Sequence, residues 1–241
     1  MQDEGLSMIS SVFVNTARYR LEHPEAGYEY REQFWRDHCC YLPGFLNQLG
    51  LDVLREEVRR LRASAVRKDF QMECMDNSPR HMNTLGANYI HKLSSLIPMF
   101  HLDAHLRRFL TNMYGDRVIS PQTEVDQFVL NYLDREGDTH GAHFDDYPIA
   151  MVVAFDVPPP GAGGDVEYAP DAENLRALDS GAVRRLRLEP GDAYVLKTDT
   201  SAHRAAPLTA DVTRTVVNFV FSTESFVPRQ TTPSASILYA R

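Results

Sequence analysis

Two histidines and one aspartate have the residue types and spacing of a mononuclear metal site. His143 and Asp145 are separated by one residue in the stretch Asp138–Tyr147, and His203 lies far downstream. On an extended strand, side chains two positions apart point to the same side. Two neutral imidazoles and one carboxylate bind Fe(II) on one face and leave its other positions open. We therefore predict that His143, Asp145 and His203 bind iron.

Arg214 is the second residue whose surroundings suggest chemistry, because it lies in the otherwise apolar segment 212–221. An unpaired buried charge is costly, and a planar guanidinium matches a carboxylate. A 2-oxo acid such as 2-oxoglutarate can chelate iron through its keto oxygen and adjacent carboxylate, which leaves its far carboxylate in need of a cation. We predict that Arg214 binds that carboxylate. An internal salt bridge is the alternative.

The elements that must position these residues differ between the two parts of the chain. Helical spacing of apolar residues predicts helices at 4–21, 47–63 and 94–114. Alternation and apolar runs predict strands at 123–132, 149–157, 165–168, 193–196 and 212–221. Residues 68–90 are expected to be irregular, and residues 171–187 to form a polar helix or loop.

Composition narrows the class of protein. The 241 residues are 43% hydrophobic, enough for one sizeable core, and the net charge of −8 argues against nucleic acid or an anionic membrane as partner. No secretory signal is evident, and no apolar run approaches the roughly 20 residues that span a bilayer. Three cysteines, two of them adjacent, make no disulfide framework. We expect a cytoplasmic protein, and the oligomeric state stays open.

The order of the motifs resembles the Fe(II)/2-oxoglutarate-dependent oxygenases from about Asp126 to Ser222: His-x-Asp, a Gly-Gly turn, a Gly-Asp turn, a distal His and then Arg. The resemblance implies a mainly β fold with flanking helices (α+β), whose core is a double-stranded β-helix, or jelly-roll. No internal repeat or low-complexity linker is present, so we predict one domain over 1–241, with helical support and a lid in 1–115 and the jelly-roll in 120–225. The resemblance also implies Fe(II), with 2-oxoglutarate and O2 as cosubstrates. Tyr132 would contact 2-oxoglutarate, or else be a core aromatic.

A narrower resemblance is carried by Asn131-Tyr-Leu, by Gly-Asp-Thr-His-Gly-Ala-His-Phe-Asp-Asp-Tyr-Pro and by Gly-Gly-Asp-Val-Glu-Tyr. These segments are similar to oxygenases that hydroxylate or chlorinate free amino acids such as lysine and ornithine. In the halogenases of that group, Gly replaces the metal-binding carboxylate and opens a position for chloride. This chain keeps Asp145, which favours hydroxylation. It departs from the group in having Asp126 where the group has Glu, and in lacking a tryptophan near the C-terminus.

The same resemblance implies five substrate-binding residues. Arg80 and His140 would bind the carboxylate of an amino acid, and Asp126, Asp146 and Asn218 would bind an amine. Opposite charges at the two ends of a zwitterion make this arrangement coherent. Each of four residues has an alternative role. Arg80 would be a surface charge, and Asp126 would be an acid near a turn. His140 would orient its loop by bonding the backbone, and Asp146 would accept a hydrogen bond from a metal-binding imidazole.

The resulting expectation is an enzyme that hydroxylates an unactivated C–H bond of a free, basic or polar amino acid and releases succinate and CO2. Two alternatives stay open. One is the same chemistry on a peptide-bound or carrier-bound aminoacyl group, and the other is a non-catalytic jelly-roll that senses a metal or a small molecule.

Overall fold

The computed structural model describes residues 9–181, 183–227 and 233–239, with every side chain among them except that of Asp126. The α-helices of these residues are α1 (Ile9–Phe13), α2 (Thr16–Tyr19), α3 (Arg31–Asp37), α4 (Gln48–Arg62), α5 (Ala87–Leu93), α6 (Leu96–His101), α7 (Ala104–Tyr114) and α8 (Ser234–Tyr239). The strands are β1 (Cys39–Leu42), β2 (Val66–Met72), β3 (Ser78–Leu85), β4 (Val118–Ile119), β5 (Phe128–Leu133), β6 (Thr139–His140), β7 (Ile149–Asp156), β8 (Val166–Ala169), β9 (Arg184–Leu186), β10 (Ala193–Lys197), β11 (Ala202–Ala205) and β12 (Arg214–Thr223).

Two antiparallel sheets form the β part of the molecule. The large sheet has nine strands in the order β1-β10-β7-β12-β5-β3-β2, with β4 paired to β12 and β6 paired to β3. The small sheet has three strands in the order β11-β8-β9. An isolated bridge between His143 and His203 joins the loop before β7 to β11 of the small sheet. The mainly β architecture with flanking helices matches the prediction.

Both faces of the large sheet are buried, which explains the unbroken apolar run of β7. Met151 and Val153 face the main core that the sheet shares with the helices. Val152 and Ala154 face a second core that the large sheet shares with the small one. Because successive side chains of a strand point to opposite faces, both kinds of position must be apolar here.

The same alternation decides which residues of other strands reach the space between the sheets. On β12, Val217 and Phe219 face the helices, so Arg214 and Asn218 point the other way. On β10, Val195 faces the helices, whereas Tyr194 packs in the core between the sheets. Polar side chains of the central strands therefore converge inside the β sandwich.

Two of the three predicted helices differ from the prediction. Helix α4 is confirmed, and the Asn47 side chain caps it by accepting a hydrogen bond from Gly50 N at 2.8 Å. The predicted helix at 94–114 is two helices: the first ends at His101, and Asp103 caps the second by accepting a hydrogen bond from Leu106 N at 3.0 Å. In the described part of segment 4–21, α1 and α2 are likewise separated by an extended bridge at Val14.

Residues 68–90 form regular structure, contrary to the expectation of an irregular segment. They contain most of β2 and all of β3, which pair along their full length. Strand β2 is the edge of the large sheet, and edge strands carry charged residues that hide the usual alternation. The segment 1–115 thus supplies strands as well as helices, and Arg80 lies on a sheet.

The predicted strand at 123–132 begins late, at Phe128, because residues Glu124–Asp126 form a 3-10 turn. The prediction of one domain stays a prediction, which the core shared by the N-terminal helices and the large sheet supports. Among the described residues, no helix is long and apolar enough to cross a membrane.

Candidate metal centre and its two cavities

The structure brings His143, Asp145 and His203 together into one cluster. One ligand atom from each lies within 4.8 Å of the others. The Nε2 atom of His143 is 3.6 Å from Asp145 Oδ1, and the Nε2 atom of His203 is 3.8 Å from Asp145 Oδ2. Both histidines are buried. Three atoms at these separations surround a space of the size of one metal ion.

Backbone carbonyl groups fix both imidazole rings. His143 Nδ1 donates to Gly141 O at 2.8 Å, and His203 Nδ1 donates to Ser201 O at 3.0 Å. A proton on Nδ1 leaves Nε2 with its lone pair, directed at the cluster. Burial, followed by the nearby His203 and His140, holds the pKa of His143 well below its ordinary value. The neutral form that binds a metal is therefore favoured.

Asp145 provides the test of whether a metal fits. Its Oδ2 atom is buried and has no hydrogen-bond partner among the described residues, which is costly for a carboxylate oxygen. Burial raises the pKa of Asp145, and His203 opposes that shift. A divalent cation between the three residues would satisfy this oxygen and stabilise the charged carboxylate. Two imidazoles and one carboxylate are the donor set of mononuclear Fe(II) sites.

A cavity extends from His143 and His203 of the metal cluster into the space between the sheets. Arg214 lines it and is 7% exposed. Its Nε donates to Gly164 O at 2.7 Å, and burial lowers its pKa. No carboxylate lies in ion-pair distance of Arg214 within the described ranges, so the alternative of an internal salt bridge is not found there.

Tyr132 does not line this cavity, contrary to the sequence prediction. Its ring lies under the Arg62 guanidinium, 4.2 Å from ring centroid to Cζ. Asn131 and Leu133, its neighbours on β5, line the cavity instead. Alternation along β5 therefore places Tyr132 on the face opposite to the cavity. Tyr194, which was not predicted from the sequence, lines the cavity from β10; its position two residues after Asp192 of the Gly-Asp turn was the available signal.

A second cavity lies next to His143 and Asp145 of the metal cluster, and four of the five predicted substrate residues line it: Arg80, His140, Asp146 and Asn218. Asp126 belongs to the turn before β5, and its side chain lies outside the described part of the structure. The predicted amine-binding role of Asp126 stays a prediction.

Arg80 is a buried cation in this second cavity. It is 1% exposed, and its Nη1 donates to Ser78 Oγ at 2.8 Å and to Pro79 O at 3.0 Å. Its Nε has no hydrogen-bond partner among the residues that the structure describes. Burial lowers the pKa of Arg80. Arg80 is therefore a buried guanidinium with an unused donor, and the alternative of a surface charge is wrong.

His140 and Asn218 lie between the two cavities and line both of them. The His140 ring stacks on His143 with centroids 4.1 Å apart. The Nε2 of His140 and the Oδ1 of Asn218 are buried without a hydrogen-bond partner in the described part of the chain. Each side chain therefore has an unused polar atom between the two cavities.

Helix α8 forms one wall of the second cavity. It lies in the C-terminal region where the similar oxygenases have a tryptophan and this chain has none. Leu238 and Tyr239 line the cavity from the C-terminal side, and Met75 lines it from the turn between β2 and β3. Leu238 and Met75 also share an apolar cluster. The described C-terminal helix therefore forms part of the wall of the second cavity.

A row of charged residues crosses the small sheet behind His203. Arg204 is the cross-strand partner of Glu167, and Glu167 is the partner of Arg185. Glu167 accepts from Arg204 Nε at 2.7 Å and pairs with Arg185 Nε at 2.8 Å. Arg204 also donates to Leu178 O at 3.4 Å. The strand that carries His203 is thus tied to the segment 171–187.

Solved structures with the same fold confirm the double-stranded β-helix. The α-ketoglutarate-dependent epimerase SnoN from nogalamycin biosynthesis aligns with a TM-score of 0.64 at 16% identity, over 85% of this chain and 83% of SnoN. A Trichoplax adhaerens prolyl hydroxylase, in complex with a peptide fragment of hypoxia inducible factor, gives 0.62 at 13% identity, over 86% and 94%. HygX from Streptomyces hygroscopicus, with nickel and 2-oxoglutarate bound, gives 0.61 at 11%, over 85% and 90%.

At these identities the neighbours show the fold alone. No relative was found among the curated proteins. A family model, described as halogenase D (HalD), matches residues 23–237. That match covers most of the chain, including the metal cluster and both cavities. The chain belongs to the HalD family.

Proposed function

We propose that this protein is an Fe(II)- and 2-oxoglutarate-dependent oxygenase that hydroxylates a free amino acid with a basic or polar side chain. The observation that carries the proposal is a metal cluster with an intact carboxylate, His143–Asp145–His203, placed between two cavities. One cavity has the buried cation Arg214 for the cosubstrate, and the other has the buried cation Arg80 for the substrate.

His143, Asp145 and His203 would hold the iron. When bound, Fe(II) supplies the redox chemistry that couples O2 and the decarboxylation of 2-oxoglutarate to hydroxylation of a C–H bond. The chain contributes position and exclusion of water. Arg214 orients the far carboxylate of 2-oxoglutarate, and the apolar core between the sheets keeps the cosubstrate cavity dry. The structures of SnoN with Fe3+ and α-ketoglutarate, and of HygX with 2-oxoglutarate, support this cofactor set.

Asp145 favours hydroxylation over halogenation, although the matching family model is described as a halogenase. The carboxylate occupies the third protein position of the metal cluster, 3.6 Å and 3.8 Å from the two imidazoles. By the resemblance stated above, halogenases of the amino acid group free that position for chloride. With Asp145 present, the position for chloride is filled.

The substrate cavity supports a zwitterionic amino acid. Arg80 presents a buried cation to the substrate carboxylate, with His140 beside it. Asp146 lines the same cavity, and the unsatisfied Oδ1 of Asn218 is an acceptor for an ammonium group. Helix α8 lines this cavity through Leu238 and Tyr239, which favours a small molecule over an extended chain as its occupant. We further expect a reducing, cytoplasmic setting, because Cys39, Cys40 and Cys74 are free thiols.

The test is a panel of free amino acids that includes lysine, ornithine and their neutral analogues, incubated with Fe(II), 2-oxoglutarate, O2 and chloride. We expect succinate release matched by a product that has gained one oxygen atom. A chlorinated product would refute the hydroxylase assignment. Turnover of peptide-linked residues without turnover of free amino acids would favour a tethered substrate.

The sensor alternative has its own measurement. Anaerobic Fe(II) and 2-oxoglutarate should give a visible charge-transfer absorption band, and His143→Ala should remove it. Absence of the band from the unmodified protein, together with no succinate release, would leave only a non-catalytic jelly-roll.

A further inference from the structure

Arg80 is held by one end of its guanidinium group. Its Nη1 donates to Ser78 Oγ at 2.8 Å and to Pro79 O at 3.0 Å. Among the described residues, Arg80 has no hydrogen bond through Nε or Nη2. Ser78 and Arg80 are two positions apart on β3, so their side chains lie on the same face. The Nη1 end is therefore anchored within its own strand, and the edge formed by Nε and Nη2 is unused.

Gly141 connects this anchor to the metal cluster. Its N–H donates to Pro79 O at 2.9 Å, and the same carbonyl accepts from Arg80 Nη1. Its own carbonyl accepts from His143 Nδ1 at 2.8 Å. One residue thus joins the support of the substrate arginine to the support of a metal ligand.

The space around Gly141 admits no side chain. A Cβ at this position would lie 2.5 Å from Pro79 O and 2.5 Å from Ser78 Oγ. The φ of Gly141 is outside the left-handed region, so close approach, rather than backbone conformation, requires glycine here. Ser78, Pro79 and Gly141 line an outer groove and are not among the described residues that line the substrate cavity. They therefore act on a bound substrate through Arg80 rather than by touching it.

We propose that Ser78 and Gly141 are positioning residues that turn the Nε–Nη2 edge of Arg80 towards the substrate carboxylate, and that Gly141 also fixes His143. This inference rests on the proposed function and deepens it, because it states which edge of Arg80 binds the substrate and what holds that edge in register with the metal. A guanidinium edge with two parallel N–H groups matches the two oxygens of a carboxylate. A ligand without a carboxylate gains nothing from this orientation.

Ser78→Ala tests the orientation of Arg80, because it removes the hydroxyl and keeps the backbone carbonyl groups. The probes are the amino acid of the panel with the highest kcat/KM and its decarboxylated amine. We expect KM for the amino acid to rise about tenfold, which corresponds to the loss of one hydrogen bond to a charged group. The kcat, the KM for the amine and the Kd for Fe(II) should not change. Equal losses for the amino acid and the amine would overturn the role of Ser78, by showing that it only supports packing.

Gly141→Ala tests the shared support, because its Cβ would displace Pro79 O and Ser78 Oγ. We expect both KM for the amino acid and Kd for Fe(II) to rise at least about tenfold, since residues that orient a metal ligand affect metal affinity by this amount. Anaerobic titration without substrate measures the Fe(II) Kd. Gly181→Ala is the matched control: its φ is also outside the left-handed region, and a Cβ there would meet nothing within 4 Å. It should change neither constant, and an unchanged Fe(II) Kd in Gly141→Ala would overturn the shared support.

Hydrogen exchange of the Gly141 N–H in the unmodified protein is a second measurement, which does not depend on the folding of a variant. Zn(II), a diamagnetic substitute for Fe(II), allows this exchange to be followed by NMR. Metal binding to His143 should slow the exchange, because it restrains the peptide that Gly141 forms. Exchange that does not respond to the metal would overturn the shared support. The failure of the proposed function is a different result: no free amino acid of the panel would then be turned over, whereas both metal measurements would still test Gly141.

Discussion

Arg80 and His140 are direct partners in the antiparallel pairing of β3 with β6. Side chains of directly opposed residues lie on the same face of a sheet, so the two residues enter the substrate cavity side by side. His140 also stacks on the metal-cluster residue His143. The distance between the proposed carboxylate site and the metal is therefore set by sheet pairing.

Replacing Arg80 should remove the preference for substrates that carry a carboxylate. In Arg80→Gln we expect kcat/KM for the best amino acid to fall about 100-fold, because a charge-assisted pair in a buried site is lost. The corresponding decarboxylated amine should be affected much less. Steady-state kinetics with both compounds measures the difference. Equal losses for the two compounds would show that Arg80 only supports the fold.

Substitutions of the neighbouring residues His140 and His143 should have different effects on Fe(II) affinity. His143→Ala should weaken Fe(II) binding at least about 100-fold, since a ligand is lost. His140→Gln should retain Fe(II) affinity, because His140 is not one of the three clustered ligands. Anaerobic Fe(II) titration compares the variants. A loss of metal binding in His140→Gln as large as in His143→Ala would contradict the proposed ligand set.

Gly164→Ala should weaken 2-oxoglutarate binding about tenfold or more. Gly164 has φ +78°, and a Cβ there would lie 2.9 Å from Pro158 Cγ and 3.1 Å from Arg214 Cδ, so Arg214 would have to move. Gly161→Ala is the control: its φ is +85°, but a Cβ would meet nothing within 4 Å. Both variants carry backbone strain of about 1 kcal/mol, and only Gly164→Ala should change the Kd. Equal Kd values for both variants would rule out the displacement of Arg214.

The Asp138–Arg67 pair should contribute to stability above acidic pH. Asp138 is 1% exposed and accepts from Arg67 Nη1 at 2.8 Å and Nη2 at 2.6 Å. Burial alone would raise the pKa of Asp138, but Arg67 and the Asp134 N–H lower it below its ordinary value. Asp138→Asn should therefore reduce the free energy of unfolding by about 2 kcal/mol at pH 7.

The sign of the pH dependence follows from the lowered pKa. The stabilisation is complete above the unfolded-state pKa of about 3.9 and is lost as the pH falls through the lower folded-state pKa. Urea unfolding at several pH values should show the two proteins converging at acidic pH. Glu224→Gln, which breaks the exposed pair with Arg117, should change stability by less than about 1 kcal/mol. A difference for Asp138→Asn that persists unchanged at low pH would refute the ionic account.

The sequence predicted the metal cluster and the central strands well because both rest on local patterns. His-x-Asp and the apolar run of β7 are visible within a few residues. The position of Tyr132 could not be predicted from the strand pattern, because alternation shows that two faces exist, but only the packing of the helices shows which one borders the cavity. Arg80 was expected on an irregular lid because edge strand β2 carries charges that resemble a loop. The role of α8 depends on a long-range contact that has no periodic signal.

The charged row Arg185–Glu167–Arg204 connects the metal site to the segment that borders the cavity entrance, so a sequence change in one can affect the other. Leu175, in the segment 171–187, lines the outer mouth beside Asp145, and the same segment is tied through Arg204 to the strand that carries His203. An insertion that reshapes the entrance would therefore alter the support of a metal ligand. A segment grafted from a relative with a different substrate should retain metal affinity only if the carboxylate at position 167 and its two arginines are preserved.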